Sequence, residues 1–358
     1  MDFEFSPDQE MLRDSVRPFL ADRAPLTYVR DMYDDPRGTT PEVWAGLAGL
    51  GVHGILVPES AGGLGMGMVD MGVVLEEMGR AAHPGPFLAS SVGAASLADA
   101  ELLPGIAAGD VTATVALFDP GARIRWESTT TTATPTGDGW ALTGTKAHVP
   151  DALGADVLLV TALADGALTV FAVDPSAKGV AVEPAPTTDG SRKQATVSLT
   201  GAAGRPVDGG DVGLAVDRLL AGYAVDGVGA ASIALDMAVE YAREREQFDR
   251  PIGSFQAIQH LCADMLRDVE LARAGAYYAL WACDEADPAH RHEAATMAKA
   301  WAADALARVG ASCIQVHGGL GFTWEHDAHL FYKRLLTLQH VMGGSTDHLE
   351  ELARLVLD

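Results

Sequence analysis

Between residues 111 and 210 the apolar side chains stop recurring at helical spacing. They appear instead as short β-branched runs, "VTATVALF", "STTTTATPT", "DVLLVTAL", "ALTVFAV" and "QATVSL", parted by Gly, Asp and Pro turns. An antiparallel sheet or barrel is the expected outcome there. The flanks read as helices. "DQEMLRDSVRPFLADR" opens after Ser6-Pro7, a cap followed by a first-turn proline, and "VDMGVVLEEMGRA" keeps its apolar residues at helical spacing. From Asp211 onward come longer amphipathic windows, "GVGAASIALDMAVEYAREREQF" and "HRHEAATMAKAWAADALARVGASCIQVHG". The predicted class is α+β multidomain: an N-terminal helical domain over 1–110, a middle antiparallel β domain over 111–210 and a C-terminal four-helix bundle over 211–358.

Charge removes two classes of partner. The 49 acidic and 25 basic side chains give a formal charge of -24, which repels phosphodiester backbones and anionic bilayers, so neither nucleic acid nor a membrane surface is expected as a partner. The acidic start "MDFEFSPDQEMLRDSV" does not suit a signal peptide, and no later window reads as a membrane span, so a cytoplasmic location is expected. Cys262, Cys283 and Cys313 lie far apart with no metal-ligand spacing, and each reads as a small buried apolar residue; no metal is expected.

Three stretches carry chemistry. In "YAREREQFDRPIGSFQAIQHLCADM" a long helix ends in Arg245 and Phe248, and a second begins at Ser254 with Gln256 in its first turn. An arginine beside free backbone N–H groups can hold a diphosphate; an ordinary helix hairpin with a solvated arginine reads equally from spacing alone. In "QVHGGLGF", Gln315 closes a helix, and Gly318 and Gly319 either let backbone approach a ligand or simply cap that helix. The third stretch joins "EFSPDQEMLRDSVRPF" to "GVHGILVPESAGGLGMGMVDMGVVLEEMGR", a helical domain with one long Gly-rich turn.

In this order, "RxQFxxPIxxFQ", "QxxGGxGF" and "ILVPESAGGLGM" resemble the acyl-CoA dehydrogenase family over essentially the whole chain. The resemblance implies FAD as cofactor, an acyl-CoA thioester as substrate, α,β-dehydrogenation as the reaction and an electron-transfer flavoprotein as acceptor. It also implies that Arg245, Phe248, Gln256, Gln315, Gly318 and Gly319 reach the adenosine diphosphate half of a neighbouring subunit's FAD. The chemistry needs a carboxylate base, which the family carries at one of two places. At the first, an expected Glu-Gly-Thr is represented by Gly343, Gly344 and Ser345, and glycine cannot abstract a proton. At the second, Asp217 stands beside Arg218: Asp217 is the candidate base and Arg218 the candidate substrate contact, while a first-turn acid favoured by the helix dipole is the plain alternative.

The segments that would face the flavin ring are also altered. They read Phe118-Asp119-Pro120 and His148-Val149-Pro150, without the tryptophan that would stack on the ring; Trp126 and Trp140 read as core or sheet-surface residues. A chain that keeps what it gives a neighbour and loses what it uses itself resembles one subunit of the actinobacterial heteromeric acyl-CoA dehydrogenases, heterotetramers that as a class take bulky acyl groups, including those of steroid degradation. The alternatives are a self-sufficient dehydrogenase using Asp217 and a non-enzymatic scaffold of the same fold. Ser345 is expected to touch a neighbour's cofactor, and His317 to act as a spacer at a subunit contact. His290, His292 and Glu293 are expected in an exposed loop and helix start, and Arg334 is expected to anchor the final helix pair or a carboxylate near the interface.

Overall fold

The structure, a computed structural model, describes residues 4–137 and 139–357; the first three residues of the acidic start lie outside it. The chain forms two compact units. One gathers the residues up to Val29, Gly72–His83 and everything from Leu220 on; the other gathers Arg30–Met71 and Pro84–Leu219.

The first unit is helical. Helix α1 (Pro7–Arg23) starts as its sequence dictates: Ser6 Oγ accepts from Gln9 N–H at 3.2 Å, Gln9 Oε1 accepts from Ser6 N–H at 3.0 Å, and Pro7 fills the first helical position. The same unit holds α4 (Met68–Arg80) from Gly72 on, α6 (Val212–Glu244) from Leu220 on, and α7 (Gln256–Glu285), α8 (Pro288–His317), α9 (Ala328–His340) and α10 (Ser345–Leu357). The expected bundle gains α10 as a further helix packed on α8. Asp287 caps α8, accepting from the N–H groups of Ala289 and His290.

Glycine sets the approach of α4 to α6. A Cβ on Gly79 would lie 2.0 Å from the Asp226 carbonyl oxygen, and one on Gly229 would lie 2.0 Å from the Glu76 carbonyl oxygen, so the two backbones touch. In an open helix Gly→Ala stabilises by about 1 kcal/mol. Here the sign reverses: Gly79→Ala should lower stability by about 1–3 kcal/mol because the helices must part, and a urea midpoint equal to or above that of the parent would refute the close contact.

Charges seal the same helices. Glu77, buried on α4, takes a forked pair of hydrogen bonds from Arg17 at 2.7 and 2.6 Å. Its neighbour Glu76 is held by Arg273 and by the Tyr277 hydroxyl at 2.8 Å. Arg334 does anchor α9, but inside the unit: fully buried, it pairs with buried Asp226 at 3.3 Å and donates to the Ala82 and His83 carbonyls at 2.9 Å. Length and composition would let α6 cross a membrane, against the sequence expectation. Yet 83% of its most apolar window is buried within the protein, as in a core helix.

The second unit contains α3 (Pro41–Gly49), α5 (Leu103–Ala108) and a barrel of β1 (Ala113–Ala116), β2 (Thr132–Thr136), β3 (Gly139–Pro150), β4 (Val157–Ala164), β5 (Ala167–Val173), β6 (Val180–Ala185) and β7 (Gln194–Pro206). The ring β4-β5-β7-β3-β2 closes on β4, with β1 paired to β4 and β6 paired to β7. Most pairings are antiparallel; β1 with β4 and β2 with β4 run parallel, so the sheet is mixed. Alternation along the strands puts Leu142, Leu158, Val160, Phe171, Val197 and Leu199 inside. Trp140 packs against that core, its ring 5.6 Å from Phe171, and Trp126 is half-buried in a turn.

Candidate functional site

Helix α6 stops at Glu244, one residue before the predicted arginine, and Arg245 leads into a hairpin of β8 (Glu246–Gln247) and β9 (Arg250–Pro251). Both residues between the strands, Phe248 and Asp249, have positive φ (55° and 60°), as a type I′ turn demands. Asn and Gly take that conformation cheaply; an aromatic side chain does not. Phe248 is nonetheless 86% exposed and touches Phe255 only edge-on at 6.1 Å. Arg250 lies over the Phe255 ring at 4.2 Å.

The hairpin folds back on α6, because Ile252 N–H donates to the Arg245 carbonyl at 2.8 Å. Helix α7 therefore begins at Gln256 and not at Ser254: Ile252–Ser254 is a single 3₁₀ turn, and extended Phe255 precedes the first α-helical residue. Phe255 provides no side-chain cap, which leaves first-turn N–H groups for a ligand or solvent.

Helix α8 runs two residues past Gln315 and ends at His317. His317 is not a surface spacer. It is buried between Tyr241, stacked at 4.6 Å, and His326 at 4.5 Å, and its Nδ1 sits 2.8 Å from the Cys313 carbonyl, which fixes the proton on that nitrogen. Burial lowers its pKa against that hydrogen bond, so the ring is an uncharged packing element. The Tyr241–His317 stack joins the end of α6 to the end of α8. Arg245, Phe248, Gln256, Gln315, Gly318 and Gly319 thus gather at one end of the first unit. Gly318 has φ 58°, and a Cβ at either glycine would meet nothing within 4 Å, so this backbone is open to a ligand.

Apolar side chains lie exposed beside these groups, unassigned by the sequence motifs. Phe322 is 72% and Trp324 63% exposed, with Lys333 over the Trp324 ring at 4.2 Å. Phe248 is exposed as well, and large apolar rings left open in this way suit contact with another surface. The signal was present in "GGLGFTW", three bulky apolar residues within a turn-rich stretch.

Ser345 lies elsewhere. It opens α10 beyond a turn whose Gly343 carbonyl is bonded by Lys299, 16 positions before Gln315 on α8 and so about 24 Å from it along the helix axis. No carboxylate stands at Gly343 or Gly344; the nearest, Asp347, accepts the Gly344 N–H at 3.0 Å and so caps α10. Asp217 and Arg218 lie in the other unit: Asp217 is buried, and Arg218 donates to Ser96 Oγ at 3.2 Å.

In the barrel, the stretch 117–131 is pinned from inside. Lys146, fully buried on β3, donates to Asp119 at 2.7 Å, to Thr129 Oγ1 at 2.9 Å and to Thr161 Oγ1 at 3.0 Å. Thr129, Thr130 and Thr131 all donate to the same carboxylate. Burial would raise the Asp119 pKa, but the Lys146 ammonium and the Thr130 donors outweigh it and hold it well below the usual carboxylate range. Asp119 has no lone pair to spare for a ligand. Pro150 has no N–H to donate, and its carbonyl is taken by Thr114.

Of the weaker readings, His290 and His292 lie in the first two turns of α8. His290 pairs with the Tyr278 hydroxyl at 2.6 Å and His292 faces Glu351 at 4.0 Å; among the described residues no cluster suits a metal. Cys283 and Cys313 are buried as expected, and Cys262 is only half-buried.

Comparison with known proteins agrees along the chain. The N-terminal domain of acyl-CoA dehydrogenases is matched by residues 6–109, the middle domain by 114–202 and the C-terminal domain by 213–357. Acyl-CoA dehydrogenase FadE34 of Mycobacterium tuberculosis is 38% identical over 96% of this chain, which spans about half (46%) of that protein's length. Acyl-CoA dehydrogenase IpdE2 of Mycolicibacterium smegmatis is 32% identical over 97% of this chain and 98% of its own. Among solved structures, the ChsE4-ChsE5 complex from Mycobacterium tuberculosis superposes with a TM-score of 0.91 at 31% identity, covering 100% of this chain and 99% of the other.

Proposed function

The chain belongs to the acyl-CoA dehydrogenase family, and on that premise we propose that it is one subunit of an FAD-dependent enzyme that dehydrogenates an acyl-CoA thioester at its α and β carbons. Its part is to hold the FAD of a related catalytic subunit across their shared interface. One observation carries this reading: the turn at Gly343–Ser345 has no base, while Arg245, Gln256, Gln315 and two open glycines remain, with Phe248, Phe322 and Trp324 exposed on the same segments.

The donor set fits the anionic half of FAD. A guanidinium, two side-chain amides, an uncapped helix start and unobstructed glycine backbone suit a diphosphate and its adenosine. The barrel does not offer the same to the ring half, since Asp119 and the Pro150 carbonyl are already engaged. When bound, FAD supplies the hydride acceptor. This chain's residues hold the diphosphate and exclude water with their aromatic side chains, and the partner supplies the carboxylate that takes the α-proton. Electrons leave to an electron-transfer flavoprotein, in the cytoplasm, and a relative solved as a complex of two differently named chains supports the pairing.

The test is acyl-CoA-dependent reduction of an artificial electron acceptor. Activity is expected only when the chain is co-purified with a related subunit, and it should survive Asp217→Asn. Full activity in the lone chain, abolished by Asp217→Asn, would sink the proposal.

A further inference from the structure

Arg245 stands one residue past the end of α6, and Gly318 follows the end of α8 with φ 58°. Neither belongs to an α-helix, yet the two segments are joined by rings from three helix ends. Tyr241 lies in the last turn of α6, and its carbonyl accepts the Arg245 N–H at 2.8 Å. The Arg245 carbonyl in turn accepts the Ile252 N–H, so the β8–β9 hairpin hangs from the same point. His317, the last residue of α8, stacks on Tyr241 at 4.6 Å with 25° between the planes. Its second ring neighbour is His326 at 4.5 Å, whose Nδ1 accepts the Ala328 N–H at 3.1 Å and is thereby tied to the first turn of α9.

The middle ring is fixed in its plane. His317 is buried, and its Nδ1 donates to the Cys313 carbonyl at 2.8 Å, one turn back along α8. The chain then folds closely over it: a Cβ on Gly321 would lie 3.1 Å from the His317 Cβ and 3.2 Å from the Ile314 carbonyl oxygen. An aliphatic side chain would fill this space without a fixed plane. Stacked rings held at their edges pass a displacement of one helix end to the other, because a close-packed interior does not absorb it.

We propose that Tyr241 and His317 are positioning residues: their stacked rings, backed by His326, fix the separation between Arg245 and the Gly318–Gly319 backbone, so that both close on one diphosphate. The last clause rests on the function proposed above; the link between the stack and the two segments does not. Both side chains act through backbone and touch no reacting atom.

Two measurements separate the parts. Hydrogen exchange on the lone chain reads the stack through the Ile252 amide on one side and the Gly318 and Thr323 amides on the other, which donate to the carbonyls of Arg245, Gln315 and Leu320. Tyr241→Leu, which keeps bulk and loses the plane, should speed all three about fivefold or more, and Tyr241→Phe should leave them at the parent's rates. Unchanged rates in Tyr241→Leu, faster exchange at Ile252 alone, or a phenylalanine variant as fast as the leucine one would each overturn the link. If Tyr241→Leu lowers protection throughout the helical unit, Tyr241→Met takes its place and the same outcomes decide.

Equilibrium dialysis of FAD with the complex formed with a related catalytic subunit reads the positioning. Tyr241→Leu should weaken FAD binding about tenfold in the parent chain and about twofold or less in the Arg245→Ala chain, because a misplaced arginine matters only while the arginine is there. Tyr241→Phe should bind as the parent does. Equal losses in both backgrounds would mean a structural role only and overturn the positioning. Failure of the parent complex to bind FAD would count against the proposed function and leave the exchange result standing.

Discussion

Replacing Lys146 by methionine should cost about 3–5 kcal/mol, the loss expected when a buried charge keeps its burial and loses its counter-charge. Asp119 would retain only its threonine donors inside a closed barrel. Asp119→Asn in the same chain should recover part of the loss, because the amide oxygen still accepts from the Thr129 and Thr131 hydroxyls without needing a cation. A coupling of about 1–3 kcal/mol in the double-mutant cycle is expected from urea unfolding, read by hydrogen exchange of β3 and β7. The pH dependence has a definite sign. The folded-state pKa of Asp119 is depressed, so its contribution is full above the unfolded value of about 3.9 and is lost as pH falls through the folded value. The parent should therefore lose stability below about pH 4 more steeply than Lys146→Met does, and parallel acid profiles would contradict the pair's role.

The second large effect is on cofactor. In the complex formed with a related catalytic subunit, Arg245→Ala should weaken FAD binding about tenfold to a hundredfold, the worth of a charge-assisted hydrogen bond to phosphate. Folding should be untouched, since the side chain is exposed and follows the end of α6. Equilibrium dialysis of the complex measures this directly. If flavin content does not respond, the exposed surface around Phe248 and Trp324 serves assembly alone.

Local signals in the sequence carried far. Ser6, Gln9 and Pro7 announced the first helix with a complete capping box, and the loss of helical spacing after residue 111 located the barrel. Arg245 and Gly318 are far apart in sequence, yet their motifs each marked a helix end, and the structure brings those ends together through Tyr241 and His317. What stayed hidden is what depends on long-range partners. Nothing in "LEEMGR" says that Glu77 meets Arg17 and Glu76 meets Arg273, or that Gly79 sits against the Asp226 carbonyl. The parallel pairing of β4 with β1 and β2 is equally a product of chain path, since a strand's own pattern does not encode its neighbour's direction. Lys299 lay between: a lysine on the buried face of "TMAKAWAA" is an anomaly visible in sequence, but its target on Gly343 is not.

The helix ends and the barrel segments read differently for a physical reason. Gln315 and the glycines belong to helix ends, where backbone groups are available whatever the side chains. The barrel segments depend on particular side chains, and there Asp119 has been drawn into the interior by Lys146.

The most direct measurement is the visible absorption spectrum of the purified chain, taken alone and again after co-expression with a related acyl-CoA dehydrogenase subunit. A colourless lone chain is expected, and a yellow complex whose flavin bleaches on addition of an acyl-CoA. Stoichiometric FAD in the lone chain, bleached by an acyl-CoA without any partner, would contradict the proposed function.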